Sequence, residues 1–262
     1  MQSFLKNAER CQLIGMVHLL PLPGSPNWQG SMQDILDSAA RDAEALVAGG
    51  CDAIIVENMG DLPYLRGEVY PETVAAMALA TERVVSFGLP TGVQVLAAAN
   101  REALGVAIAS GASFLRVEAF AYAHVADEGW LDACAGELLR ARFNLRAKVE
   151  IWADVQKKHA AHSVTADLSL PDLAKGAKFC GADALIVTGV STGAPTSVQD
   201  VDEVKTSGLP VVVGSGVDPD NIRSLASTAD GLIVGSWLKE DGDWQKAVDR
   251  KRVQHLRELL DS

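Results

Sequence analysis

The chain of 262 residues contains 23 Lys and Arg against 34 Asp and Glu, which gives a formal net charge of −11 at pH 7. This acidic balance argues against a nucleic-acid partner and against an anionic membrane surface, because both are bound by clustered basic side chains. It leaves room for one small anionic ligand. With 48% hydrophobic residues, a chain of this length can bury a large core without disulfides or a structural metal.

Cysteine spacing and hydropathy indicate the cellular setting. The four cysteines are far apart in the sequence, without the close pairs of zinc or redox motifs, and we expect them to be reduced. The N-terminal residues lack an apolar signal segment, and no run reaches the roughly 18 apolar residues of a membrane span. We therefore expect a cytoplasmic protein with no integral membrane segment.

Short apolar runs rich in Val and Ile alternate with longer segments of helical periodicity, a pattern typical of parallel α/β folds. The predicted strands cover residues 12–18, 52–58, 91–96, 113–118, 148–154, 184–188, 211–214 and 231–235. The predicted helices cover residues 32–48, 71–87, 101–110, 130–143, 170–180, 198–207, 218–227 and 244–260. Residue types that favour the N-terminus of a helix occur at Asn100, Ser169 and Asp218. Eight strand–helix units predict a single (β/α)8 TIM barrel, one domain over residues 1–262.

An internal repeat supports closure of the sheet. Residues 50–56 (GCDAIIV) resemble residues 181–187 (GADALIV), and each copy is followed one strand later by Gly-Leu-Pro. A weaker third match, residues 111–117 against 228–234, falls in the same order. Two halves of four units make an eight-unit barrel. The alternative is convergent use of the few sequences that make good helix-to-strand turns.

Side-chain alternation predicts which residues of the central strands face the lumen. Because the outer face packs on helices, the polar residues point inward. Arg116 and Glu118 then face in from the fourth strand, and Glu150 and Asp154 from the fifth. We expect Arg116 to form a buried structural pair with Glu150, because a lone charge there would be unfavourable. Glu118 and Asp154 are expected higher, toward the substrate.

Reactive groups of such barrels sit at the C-terminal ends of strands. The acid–base candidates are His18, Glu57, Glu118 and Asp154, and His18 has the alternative of a structural, hydrogen-bonded role. The candidates for substrate binding are Asn58, Gln94, Arg116, Lys158, Thr188 and Gly189. Side-chain alternation along the strand does not decide whether Glu57 or Asn58 faces the lumen. Clustered carboxylates could also hold a divalent metal.

The turns after the seventh and eighth strands predict a phosphate site. The residues proposed to hold the anion are Gly214, Ser215, Gly216, Gly235 and Ser236. Glycine lets backbone N–H groups approach an anion closely, and this position is the usual phosphate cradle of barrel enzymes. The alternative is that these glycines only make tight turns. Residues 19–26 and 120–129 are long enough to cover a ligand, and residues 189–195 could add hydroxyl and amide donors.

Two motifs in the first part of the chain are distinctive: IGMVHLLPLPGSP at residues 14–26 and DAIIVENMGD at residues 52–61. Together they resemble the signature of the BtpA family, barrel proteins named for a photosystem I biogenesis factor. The resemblance continues to the two Gly-Ser turns and covers nearly the whole chain. It implies a (β/α)8 fold, with one branch of the family associated with sugar-uptake operons. The family pattern usually has Asn where this chain has Glu118, a departure that could change the chemistry or the metal preference there.

These observations favour an enzyme that acts on a small phosphorylated metabolite, a sugar or nucleoside phosphate, by acid–base chemistry at the rim of the barrel. Isomerisation, epimerisation, carbon–carbon cleavage and glycosidic cleavage remain open. One alternative is a non-catalytic assembly or regulatory factor that keeps a ligand-binding barrel. A metal-dependent hydrolase, resting on oxygen ligands, is another. A homo-oligomer is compatible with the sequence.

Overall fold

The computed structural model describes residues 4–157, 160–189 and 196–262. Eleven strands lie in these ranges: β1 (Gln12–His18), β2 (Ala53–Glu57), β3 (Thr91–Gln94), β4 (Phe114–Val117), β5 (His124–Ala126), β6 (Gly129–Leu131), β7 (Glu150–Asp154), β8 (Ala160–Ala161), β9 (Ala184–Val187), β10 (Val211–Val213) and β11 (Gly231–Val234). Eight of them close a parallel barrel in the order β1-β11-β10-β9-β7-β4-β3-β2. The predicted TIM barrel is confirmed.

Eight α-helices in the same ranges surround the barrel: α1 (Met32–Gly49), α2 (Pro71–Val85), α3 (Asn100–Ser110), α4 (Ala135–Asn144), α5 (Leu170–Phe179), α6 (Val198–Lys205), α7 (Ile222–Ala226) and α8 (Arg250–Asp261). Ser169 caps α5 as predicted, since its side chain accepts the N–H of Asp172 in a capping box. Gly50 ends α1 with φ of 98°, in the left-handed region that favours glycine.

Several predicted helix starts are wrong, because local turns intervene. The helix predicted from residue 130 begins at Ala135, since residues 124–131 form a β-hairpin instead. The helix predicted from residue 218 begins at Ile222, because the Asp218 side chain accepts backbone N–H groups of the preceding turn. The last helix begins at residue 250 rather than 244, where the Asp249 side chain accepts the N–H of Lys251.

Asn100 also differs from its predicted role as a helix cap. It is the first residue of α3, and Ala99 takes the cap position. The Asn100 side-chain amide instead donates a hydrogen bond of 2.8 Å to the backbone carbonyl of Glu118. This contact joins the start of α3 to the end of β4, directly beneath the rim of the barrel.

The lower lumen is filled by an aromatic layer. Phe114 stacks on Trp152, with ring centroids 3.8 Å apart and planes 14° from parallel. Gly92 on the neighbouring strand makes room for this pair, because a Cβ at that position would lie 2.2 Å from the Phe114 ring. Aliphatic side chains from the other strands complete the layer. This layer separates the polar residues at the C-terminal strand ends from those at the lower end of the barrel, such as Glu150.

Two features organise the loops above the barrel. Strands β5, β6 and β8 form a separate three-stranded sheet, which joins the segment after β4 to the segment after β7. On the other side, a buried ion pair between Lys239 and Asp42 ties the chain after β11 to α1. Asp42 also accepts the N–H of Val248 at 2.8 Å. No helix in the described ranges is long and apolar enough to cross a bilayer.

Candidate active site

A cavity of about 640 Å³ opens at the C-terminal ends of the barrel strands. Most residues predicted from strand ends line it: His18, Glu57, Gln94, Arg116, Glu118, Asp154, Thr188, Gly214, Ser215, Gly216, Gly235 and Ser236. The structure therefore brings the predicted acid–base candidates and the predicted phosphate turns into one chamber. This is the arrangement expected when parallel strands present their ends at one rim.

Two predicted binding residues, Asn58 and Gly189, do not join this group, and a third lies outside the described residues. Asn58 accepts the N–H of Leu96 at 2.7 Å and donates to Asp61 at 3.0 Å, so its buried amide organises the loop after β2. Glu57, not Asn58, consequently faces the lumen. Gly189 follows β9 but does not line the cavity. Lys158 lies outside the described residues, as do residues 190–195 of the loop predicted to add donors.

Arg116 is held at the centre of the cavity floor. Its Nε and Nη2 atoms donate to the two carboxylate oxygens of Asp154, each at 3.1 Å, and its Nη1 donates to the carbonyl of Gly214 at 3.3 Å. Burial lowers the pKa of the guanidinium, but the carboxylates of Asp154, Glu57 and Glu118 together outweigh this effect and raise it. A bidentate pair of this kind fixes both side chains and keeps the charge on Arg116.

The expected pairing of Arg116 with Glu150 is wrong. In the register between β4 and β7, Arg116 lies beside Trp152 and Glu150 lies beside Phe114. The Glu150 carboxylate instead accepts the indole N–H of Trp152 at 3.0 Å. Both acidic residues belong to β7, but Asp154 stands four residues closer to the open end, at the height that the Arg116 side chain reaches.

Lys157 is a functional candidate that the sequence analysis missed. Its ammonium lies 3.4 Å from Glu118 and 3.4 Å from Glu128, which joins the end of β4, the β5–β6 hairpin and the end of β7. Glu118 also accepts the N–H of Ala98 at 2.9 Å. Burial lowers the pKa of Lys157, but the two carboxylates raise it above its ordinary value. The sequence did contain a signal for this contact: an acidic pair at residues 127–128 and a lysine shortly after the predicted fifth strand.

Glu57 is the carboxyl group best suited to exchange a proton near neutral pH. Burial raises its pKa to about 7, with Glu118 and Asp154 adding to the effect and Arg116 opposing it. Its Oε2 atom lies 3.6 Å from Nε2 of His18. Burial lowers the pKa of His18 to about 3, so this imidazole is neutral at physiological pH.

Gln94 and Thr188 complete the walls. Gln94, adjacent to Glu57 in the β2–β3 register, is 3% exposed, and its side-chain oxygen has no hydrogen-bond partner among the described residues. The Thr188 hydroxyl donates to the backbone carbonyl of Gln156 at 2.7 Å. The buried Gln94 oxygen thus has no donor among the described residues, whereas the hydroxyl proton of Thr188 is already used.

The two glycine turns approach the rest of the site closely. A Cβ on Gly214 would lie 2.6 Å from Ile186 and 2.7 Å from Thr188, and one on Gly235 would lie 3.1 Å from the His18 ring. Gly216 has φ of 76°, which few other residues adopt. A side chain has no room at Gly214 and little at Gly235, so the backbone borders the cavity at these two positions. The described residues contain no cluster of three or more His, Cys, Asp or Glu side chains that could hold a metal ion.

A closed (β/α)8 barrel with a polar chamber at the strand ends is the general plan of many metabolic enzymes. The structure is similar to tryptophan synthase from Mycobacterium tuberculosis, with a TM-score of 0.60, 19% identity and coverage of 97% of this chain and 94% of that one. It is also similar to KGPDC from Streptococcus mutans, with a TM-score of 0.60, 12% identity and coverage of 96% of this chain and 98% of that one. At these identities the likeness shows the fold alone.

Sequence comparison identifies the family. The BtpA family profile matches residues 9–262, and the chain belongs to this family. An uncharacterized mitochondrial protein of Caenorhabditis elegans is 45% identical over 259 residues, which cover 96% of this chain and 93% of that protein. The photosystem I biogenesis protein BtpA of Synechocystis is 39% identical over 254 residues, which cover 95% of this chain and 87% of that protein. The resemblance seen in the two N-terminal motifs is confirmed.

Proposed function

We propose that the protein is an enzyme that acts on a small phosphorylated metabolite, a sugar or nucleoside phosphate, by acid–base chemistry. The observation that supports this most is the shared chamber. A buried carboxyl group with a pKa near 7, that of Glu57, faces the same cavity as the two glycine-containing turns. A general acid or base is most effective when its pKa lies near the working pH.

The phosphate is proposed to bind at Gly214, Ser215, Gly216, Gly235 and Ser236. Backbone N–H groups in glycine-rich turns can surround an anion without a basic side chain, which suits a protein of net charge −11. Arg116 adds a nearby positive charge, because it donates to the carbonyl of Gly214 from the cavity floor. One structural neighbour is named for a phosphorylated compound, the N-(5'-phosphoribosyl)anthranilate isomerase from Pyrococcus furiosus.

The four acid–base candidates take different roles in this proposal. Glu57 moves the proton, and neutral His18 positions it from 3.6 Å away. Asp154 and Glu118 are paired with Arg116 and Lys157, so they orient the cations and the substrate. Lys157 stays charged between two carboxylates, which disfavours its use as a Schiff-base nucleophile because that role needs a neutral amine. Isomerisation and epimerisation by proton transfer fit this arrangement best.

The phosphate site is tested by thermal denaturation with and without inorganic phosphate. Saturation at about 100 times the dissociation constant stabilises a protein by about 2.7 kcal/mol, which corresponds to a rise in Tm of roughly 5–10 °C at this size. Gly235→Asp should abolish the rise, because its carboxylate repels the anion and crowds the His18 ring. Gly105→Asp, on α3 with open space around a new Cβ, is the matched control and should keep it. A normal response of Gly235→Asp would refute the site.

Catalysis is tested by following exchange of carbon-bound hydrogen for deuterium in phosphorylated sugars by NMR. The wild type should promote exchange in at least one of them, and Glu57→Gln should reduce the rate by about 10²-fold or more, the usual contribution of a general acid or base. Unchanged exchange in Glu57→Gln would remove this residue from the mechanism. Because exchange requires a substrate bound through its phosphate, Gly235→Asp should also lose the exchange of carbon-bound hydrogen.

A second candidate function is a non-catalytic assembly or regulatory factor, which the name of the Synechocystis relative supports. If this candidate is correct, phosphorylated ligands should stabilise the protein against thermal denaturation. The protein should then show no hydrogen exchange that depends on Glu57. The cytoplasmic location, the single domain and the homo-oligomer stay predictions of the sequence.

A further inference from the structure

A tryptophan adjoins the proposed phosphate turn and reaches the cavity. Residues Ser236–Leu238 form one turn of 3-10 helix directly after β11, and Trp237 is the middle residue of this turn. Trp237 is half-buried and lines the same cavity as Gly235 and Ser236. An aromatic ring therefore lies next to the position proposed for the phosphate.

One face of this ring is covered by α8. The guanidinium carbon of Arg252 lies over the ring of Trp237, 4.3 Å from its centre. The His255 ring is tilted by 33° to the indole, with the two centroids 6.1 Å apart. Trp237 lines the cavity, whereas Arg252 and His255 are not among the described residues that do so. The indole therefore meets the cavity with a surface that α8 leaves uncovered.

The indole is held in place in the free protein. Arg252 Nε donates to the backbone carbonyl of Trp237 at 2.5 Å, which joins the turn to α8 a second time. Two residues further along the chain, Lys239 forms the buried ion pair with Asp42. A rigid aromatic surface binds a planar ring with little loss of conformational entropy, so these contacts favour stacking on Trp237.

The cavity has room for a planar ring beside a sugar phosphate. Its volume of about 640 Å³ lies within the range of roughly 300–1,000 Å³ for pockets that enclose drug-sized ligands. A Cβ on Gly235 would lie 3.1 Å from the His18 ring, and His18 lies 3.6 Å from Glu57. A ligand held by its phosphate at this turn can therefore extend its sugar toward Glu57 while a ring attached to the sugar contacts Trp237.

Building on the proposed phosphate site, we infer that the ligand is a phosphorylated sugar that carries a planar aromatic ring, as a nucleoside monophosphate does, and that this ring stacks on Trp237. Stacking needs only a π face, which purines and pyrimidines both have. The inference narrows the ligand from sugar phosphates in general to those that bear a ring. The role proposed for Glu57 in proton transfer stays the same.

Three probes separate the contribution of the ring from that of the phosphate by calorimetry. Ribose 5-phosphate, adenosine 5'-monophosphate and uridine 5'-monophosphate share the phosphorylated pentose, and only the two nucleotides carry a base. At least one nucleotide should bind about tenfold or more tightly than ribose 5-phosphate, as base stacking on an aromatic side chain allows. Binding of inorganic phosphate or ribose 5-phosphate without such a preference for either nucleotide would overturn the inference and leave the phosphate site standing. Failure of inorganic phosphate and all three probes to bind would refute the phosphate site itself.

Substitutions of tryptophan assign the preference to one ring. Trp237→Leu keeps an apolar side chain without the aromatic surface, so the affinity for the favoured nucleotide should fall about tenfold while that for ribose 5-phosphate stays unchanged. Trp237→Phe keeps an aromatic face and should retain most of the preference. Trp28→Leu is the matched control, because Trp28 is 41% exposed and is not among the described residues that line the cavity. An unchanged nucleotide preference in Trp237→Leu would show that the ring of the ligand does not stack on Trp237.

Discussion

The protonation of Glu57 should make the stability of the protein depend on pH in a way that one substitution removes. Burial raises the pKa of this carboxyl from its ordinary value of 4.5 to about 7. The folded protein therefore holds the proton more tightly than the unfolded chain. The stabilisation is complete below about pH 4.5 and is lost as the pH rises through about 7.

The size of this effect follows from the two pKa values. The gap between 4.5 and about 7, at about 1.4 kcal/mol for each pKa unit, amounts to roughly 3 kcal/mol. Glu57→Gln keeps the shape of the side chain but has no titrating proton. The free energy of unfolding of this variant should therefore not show this fall as the pH rises. Relative to the wild type, the variant should gain roughly 2.5 kcal/mol in free energy of unfolding between about pH 5 and about pH 8.5, because part of the loss has already occurred at pH 5.

Urea denaturation followed by tryptophan fluorescence measures this gain at the two pH values. Other titrating groups contribute equally to both proteins and cancel in the difference. Gly105→Ala, on α3 with open space around the new methyl group, is the matched control, and its difference from the wild type should not vary with pH. A difference between Glu57→Gln and the wild type that is the same at both pH values would refute the burial argument for Glu57.

Three further substitutions or measurements test the packing and charge of the fold. Lys239→Met leaves the buried carboxylate of Asp42 without its cation and should lower the free energy of unfolding by about 3–5 kcal/mol; a loss below about 1 kcal/mol would contradict that burial. Gly92→Ala places a methyl group 2.2 Å from an aromatic ring and should destabilise by about 1–3 kcal/mol, whereas Gly105→Ala, with open space on α3, should stabilise by about 0.5–1 kcal/mol. Nitrogen-15 NMR should show a neutral His18 imidazole from about pH 5 to about pH 8, and a titration in that interval would disagree with its burial.

Strand positions and inward-facing residues could be predicted because each depends on a short stretch of sequence. An apolar run bounded by turn residues is sufficient to locate a buried strand, and β1 was predicted at its observed bounds. Alternation then assigns each side chain to a face, which is why Arg116 and Asp154 were correctly directed into the lumen. The rim of polar residues follows from these two local rules and the barrel topology.

Contacts between strands could not be predicted in the same way. Alternation gives the face of a residue but not its height relative to the next strand, because the stagger of a barrel is set by closure of the whole sheet. Arg116 therefore reaches Asp154 rather than Glu150. The hairpin at residues 124–131 and the pairing of Lys157 depend on contacts between distant loops, which periodicity within one segment does not contain.

The stacked pair of Phe114 and Trp152 has a consequence for the passage of molecules through the barrel. Because this layer fills the lumen directly below Arg116, substrate, product and exchanging water must all pass the same opening between the loops. A compound lodged at that mouth would block entry and release together. Its inhibition should be competitive toward the substrate in the forward reaction and toward the product in the reverse reaction.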